Sequence, residues 1–106
     1  MKNKVLIKLI VPEIDESFDV FIPVNELIWK VKKLLVKSVY DMTGGTIDMN
    51  REYMLINKNT SETYKNNVTV LSSDIRNATE LILLSIKDAH HNAKFGTPDG
   101  AKEVPM

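Results

Sequence analysis

The stretch Pro23-Val24-Asn25-Glu26-Leu27-Ile28-Trp29-Lys30-Val31-Lys32-Lys33-Leu34-Leu35-Val36-Lys37-Ser38-Val39-Tyr40-Asp41-Met42-Thr43-Gly44-Gly45 decides the fold. Leu27, Ile28, Val31, Leu34, Leu35, Ser38, Val39 and Met42 follow the i, i+3, i+4, i+7 spacing. At about 100° per residue they share one side of a helix. Pro23 and Asn25 suit the start of that helix, and Glu26 suits its electropositive first turn. Gly44-Gly45 predicts the stop, because glycine adopts the left-handed conformation at a helix end with little strain. A lone amphipathic helix cannot bury its own apolar stripe, so the flanking segments must cover it.

Those flanks read as strands. Val5 to Val11 is rich in Val, Ile and Leu and is broken only by Lys8. The acidic, proline-containing run Pro12 to Ser17 predicts a hairpin connection to a second strand, Phe18 to Ile22. After the helix, Thr46 to Arg51 is a loop and Tyr53 to Ile56 a short strand. Thr63-Tyr64 is expected to return briefly as a further strand, Leu71 and Ile75 to anchor an irregular crossing in the core, and Leu81 to Ile86 to form the last strand. Both the first and the last strand are too apolar to be solvated edges, so they are predicted to lie parallel at the centre of a mixed sheet. The class is α+β: four to five strands with one helix across one face.

The length of 106 residues suits one domain. After Lys87 the composition turns small and polar, with Gly96, Pro98, Gly100 and Pro105. The predicted division is a domain over residues 1–88 and a loosely packed tail over 89–106. Fourteen Lys and Arg balance fourteen Asp and Glu, so a charge-driven nucleic-acid binder is not expected. There is no cysteine, which removes disulfides, thiolate nucleophiles and cysteine-ligated metals. The apolar run after Met1-Lys2-Asn3-Lys4 is cut by Lys8 and halted by Pro12, too short for a signal peptide or a membrane span. The expectation is a cytoplasmic protein with no direct membrane insertion.

The order of elements, with Phe18-Asp19-Val20-Phe21-Ile22-Pro23 leading into the helix and Leu71-Ser72-Ser73-Asp74-Ile75 before Asn77-Ala78-Thr79-Glu80-Leu81-Ile82-Leu83-Leu84, resembles the ubiquitin-like β-grasp. The resemblance spans about Val5 to Ile86. The strand end Val20-Phe21-Ile22-Pro23 and the helix positions Leu27, Val31, Leu34 and Leu35 are similar to the YukD/EsaB group of type VII secretion systems in Gram-positive bacteria. That likeness implies a cytosolic accessory or regulatory protein, not an enzyme, without cofactors. It implies a protein partner, either a membrane component or an ATPase of the secretion machinery, and placement peripheral to a membrane complex. The tail after Lys87 departs from the short members of the group.

Conjugated relatives need a terminal glycine pair, whereas the pair here is internal. The competing reading, a modifier or carrier activated after processing near Lys87, therefore ranks second. His90-His91 reads as solvated tail and Asp15, Glu16 and Asp48 as solvated loop, because nothing in sequence completes a metal or acid–base site around them. RNA binding through Lys30, Lys32, Lys33 and Lys37 ranks below the reading of these lysines as the wet flank of the helix.

Apolar residues on faces that should be wet are the candidate sites. Trp29, Lys33, Val36 and Tyr40 make a second helix stripe, which anchors a partner or a second copy unless it lies down on neighbouring loops or the tail. If Ile7, Leu9, Phe18, Val20, Leu81 and Leu83 face the helix, then Leu6, Ile10, Phe21, Ile82 and Leu84 point away and form a broad apolar patch. Either the tail or another protein would cover it.

Overall fold

The structure is a computed structural model that describes residues 3–86. The tail over 89–106, with His90-His91 and the proposed processing point at Lys87, lies outside the described residues. The elements run β1 (Lys4–Val11), a short 3-10 turn (Pro12–Ile14), β2 (Glu16–Pro23), α1 (Ile28–Met42), β3 (Tyr53–Asn57) and β4 (Glu80–Ser85). They form a four-stranded mixed sheet in the order β2-β1-β4-β3. β1 and β4 run parallel at the centre, with Leu9 beside Leu81 and Ile10 beside Ile82. The outer pairs are antiparallel. This is the arrangement expected from the two apolar terminal strands, and α1 packs across one face of it. The return at Thr63-Tyr64 shrinks to a single bridge, Ile56 to Thr63, so among the described residues the sheet has four strands.

The core follows from the period of each element. Ile7, Leu9 and Val11 of β1, Leu55 of β3, and Leu81 and Leu83 of β4 are buried at alternate positions. Ile22 of β2 joins them, while Phe18 and Val20 pack against the same cluster partly buried. The helix contributes Ile28, Val31, Leu35 and Val39. Each such side chain stabilises the fold by roughly 1.5–3 kcal/mol relative to exposure.

The helix sits rotated from the expected stripe. Leu34 is 49% exposed and Met42 51%, and Ser38 is exposed too, whereas Val36 is buried at 8%. Leu34 lies about 120° round from Ile28 and Val36 about 80° round the other way, so a modest turn toward Val36 lifts Leu34 into water. Met42 has the right angle but belongs to the last helical turn. In the crossing segment Leu71 is 59% exposed and Val70, its neighbour, is the buried anchor, while Ile75 is buried as expected. An irregular segment has no period to tell Val70 from Leu71 in advance.

The helix starts at Ile28, later than Pro23, Asn25 and Glu26 suggest, and no side chain caps it. Its first N–H groups are satisfied by a distant backbone instead. Ile28 donates to the Val68 carbonyl at 2.8 Å and Trp29 to that of Asn66 at 3.2 Å. In return Val70 donates to Glu26 at 3.1 Å and Leu71 to Val24 at 2.8 Å. At the other end Gly44 and Gly45 take φ of 67° and 86°, and the Gly45 N–H donates to Tyr40 at 2.8 Å. That bond reaches back five residues and closes the helix as a Schellman turn, so the internal glycine pair is a helix stop.

Candidate functional site

The rotation of α1 brings Trp29, Lys33 and Val36 to the rim and floor of one open groove of about 470 Å³. Lys32 and Lys37 line it from the helix, Met49, Arg51, Glu52 and Tyr53 from the loop and the start of β3, and Asn66 and Ile86 from its ends. Val36 is thus a floor residue and not an exposed anchor. Tyr40 does not join the groove: its ring sits where a side chain on Gly45 would meet it at 3.3 Å. It belongs to the helix stop, one turn too far along.

The far wall is held firmly. The Tyr53 hydroxyl donates to the Asp48 carbonyl at 2.9 Å and lies 3.4 Å from Glu13. Burial and then the neighbouring Glu13 carboxylate push its pKa up to about 12. Arg51 bridges Glu13 at 3.4 Å and Asp48 at 3.7 Å. The Ile86 N–H donates to Glu52 at 2.9 Å, which ties the end of the described chain to the same wall. On the near wall, the ammonium groups of Lys30 and Lys33 stand 5.6 and 5.7 Å from the Trp29 ring centre, inside the range of cation–π attraction. Lys32 is partly buried, and that desolvation lowers its pKa against the opposing pull of Glu52.

The outer face of the sheet holds the other candidates, in two pieces. Leu6 and Phe21 pair across β1 and β2, 39% and 54% exposed. Ile10 and Ile82 pair across β1 and β4, with Ile56, Leu84 and Met54 beside them, all half-buried. A charged row separates the pieces. The register places Asp19, Lys8 and Glu80 side by side, and Lys58 bonds Glu80 at 3.5 Å just past the end of β3. The expected single broad patch is therefore interrupted, because strand register aligned four charged residues that are far apart in sequence. The row was visible only once the pairing was known.

Among the described residues no group of three or more His, Cys, Asp or Glu side chains is placed to hold a metal, and no helix is long and apolar enough to cross a membrane. The arrangement offers two partly apolar surfaces, the groove beside α1 and the outer face of the sheet.

No family model and no curated protein matches the sequence. Solved structures match the fold. The ubiquitin-like domain of EccD5 from Mycobacterium xenopi superposes with a TM-score of 0.64 at 14% identity, covering 77% of this chain and 93% of that one. The ubiquitin-like domain of the Mycobacterium tuberculosis type VII secretion system protein EccD1 gives 0.62 at 11% identity, over 77% and 98%. A chain of the MycP5-free ESX-5 inner membrane complex gives 0.63 at 12%, over 97% of this chain and 28% of that one. At these identities the likeness carries the fold, a ubiquitin-like β-grasp.

Proposed function

We propose that this chain is a non-conjugated ubiquitin-like interaction module, an accessory or regulatory component of a type VII secretion system akin to the YukD/EsaB proteins. It acts by binding and not by catalysis. The observation that carries the reading is the groove in which Trp29, Lys33 and Val36 meet the wall at Tyr53, a concave surface with an apolar floor. The use of Gly44-Gly45 as a helix stop supports a module that is not conjugated through that pair. The likeness to EccD domains supports the secretion context, by fold alone. The likeness to a chain of the ESX-5 inner membrane complex supports a place peripheral to a membrane complex, with a membrane component or ATPase as the proposed partner.

Capture from the native host with the full chain as bait tests this. Mass spectrometry should identify a type VII membrane component or ATPase, retained by Ile82→Asp/Leu84→Asp and lost with Trp29→Glu. Retention by Trp29→Glu with loss in the sheet variant moves docking to the sheet face. Recovery of no secretion component ends the proposal. Intact mass from native cells should show the full chain; a product ending near Lys87 would favour the modifier reading.

A further inference from the structure

We propose that the groove between α1 and the start of β3 is a binding site for a partner segment carrying a large apolar side chain flanked by carboxylates. The inference rests on the interaction-module reading and adds the partner's chemistry.

The volume of about 470 Å³ falls within the roughly 300–1,000 Å³ of ordinary ligand clefts. Trp29 and Met49 stand at its rim, 40% and 47% exposed, above the buried Val36 and Tyr53. That is a seat for an aliphatic or aromatic side chain. The charge around the seat has one dominant sign. Lys32, Lys33, Lys37 and Arg51 line it against the single carboxylate of Glu52.

The ion pairs tell which of these cations are already engaged. Lys37 meets Asp41 at 3.1 Å, and Arg51 is held by Glu13 and Asp48. Lys30, beside the groove, meets Glu26 at 3.8 Å. Among the described residues, Lys32 and Lys33 have no carboxylate within 4.0 Å. Lys32 is partly desolvated as well, so water compensates its charge less fully, and Glu52 offsets only part of that loss. An arriving carboxylate gains most beside these two. A basic partner meets the ammonium groups of Lys30 and Lys33 close to the very indole it must approach.

The same charge argument weighs against the chain's own residues 87–106 as occupant. Lys87, Lys94 and Lys102 match Asp88, Asp99 and Glu103 in number, with His90 and His91 in addition. That segment brings no acidic excess to a basic rim.

Trp29 is the only tryptophan in the chain, so its emission reads the groove directly. The probes are three short synthetic peptides: Leu-Phe flanked by Asp and Glu, the same centre flanked by Lys, and the acidic flanks around Ala-Ala. The acidic Leu-Phe peptide should shift Trp29 emission saturably. The other two should bind at least about tenfold more weakly, and affinity should fall with rising salt. The variant Lys32→Glu/Lys33→Glu, with circular dichroism to show that it folds, should also weaken binding about tenfold.

Equal binding of the lysine-flanked peptide, or no saturable change at millimolar peptide, overturns the inference. So does emission that depends on protein concentration, which marks a second copy. Magnetisation transfer in the full chain between the Trp29 indole and residues 87–106 overturns it too, since the groove is then self-occupied. Peptide failure with capture of a secretion component intact removes this inference and leaves the module reading standing. Peptide binding with no secretion component captured does the reverse.

Discussion

The helix groove and the outer sheet face both carry apolar side chains toward water, and they differ in how charge is laid around them. On the sheet, Asp19, Lys8, Glu80 and Lys58 alternate in sign from strand to strand. Opposite charges on adjacent strands cancel within about one side-chain length, so the face presents little net field. At the groove the lining is four cations to one carboxylate, and the two with no carboxylate within 4.0 Å among the described residues stand together on one helix. Cancelling charge keeps a surface soluble without choosing a partner. Charge of one sign beside an apolar seat selects one.

Both surfaces depend on the core beneath them, and the most disruptive test removes that shared support. Leu35→Ala empties a site only 2% exposed and should cost about 2–5 kcal/mol, whereas Leu34→Ala, one residue away in water, should stay within about 0.5 kcal/mol. Urea midpoints of the two variants check this. Equal costs would mean that the helix is not rotated toward Val36, and the groove would lose its floor.

A smaller effect is expected at the helix stop. Gly45→Val places a β-branched residue at φ 86° and drives its Cβ toward the Tyr40 ring. It should destabilise by about 1–3 kcal/mol while leaving Trp29 emission native-like at low temperature. A neutral result would show that the glycine pair is not needed to end the helix.

The groove wall at Tyr53 also has a signature in alkali. Burial, aided by Glu13 at Tyr53 and by the Asp74 hydrogen bond at Tyr64, raises both phenols from 10.0 to about 12. The unfolded chain therefore loses these protons first. Stability from this source is intact below pH 10 and is lost as pH rises toward about 12. Tyr53→Phe should flatten the decline seen in denaturant midpoints across that window. It should also cost about 1 kcal/mol at neutral pH through the lost bond to Asp48. An unchanged alkaline slope would contradict the wall as described.

The smallest effect belongs to the sheet. Lys58→Ala breaks an exposed pair with Glu80 and should change stability by no more than about 0.5 kcal/mol. A larger loss would make the charged row a structural strut and not a solvated one.

How much of this was legible in the sequence follows from where periodicity exists. The strands and the helix announce themselves by alternation and by the 3.6-residue stripe, and the central parallel pair by the apolarity of Val5 to Val11 and Leu81 to Ile86. The helix rotation was not legible, because Leu34 and Val36 flank the same buried centre on opposite sides and only the neighbouring elements choose between them. The groove was half legible. Trp29, Lys33 and Val36 were marked by their stripe, but Met49, Arg51, Glu52 and Ile86 come from segments with no shared pattern. The split of the sheet face needed strand register. The substitution of backbone for a side-chain cap at Ile28 has no residue signature at all.

That uncapped beginning makes α1 a late reporter. Its leading amides at Ile28 and Trp29 find their acceptors only when Val68 and Asn66 have come round to meet them. An isolated peptide of this sequence should fray there, and exchange of those two amides with solvent should slow only when the crossing segment locks. The mouth of the groove is assembled by that same closure, so its shape at Trp29 is a property of the finished chain and not of the helix that carries it.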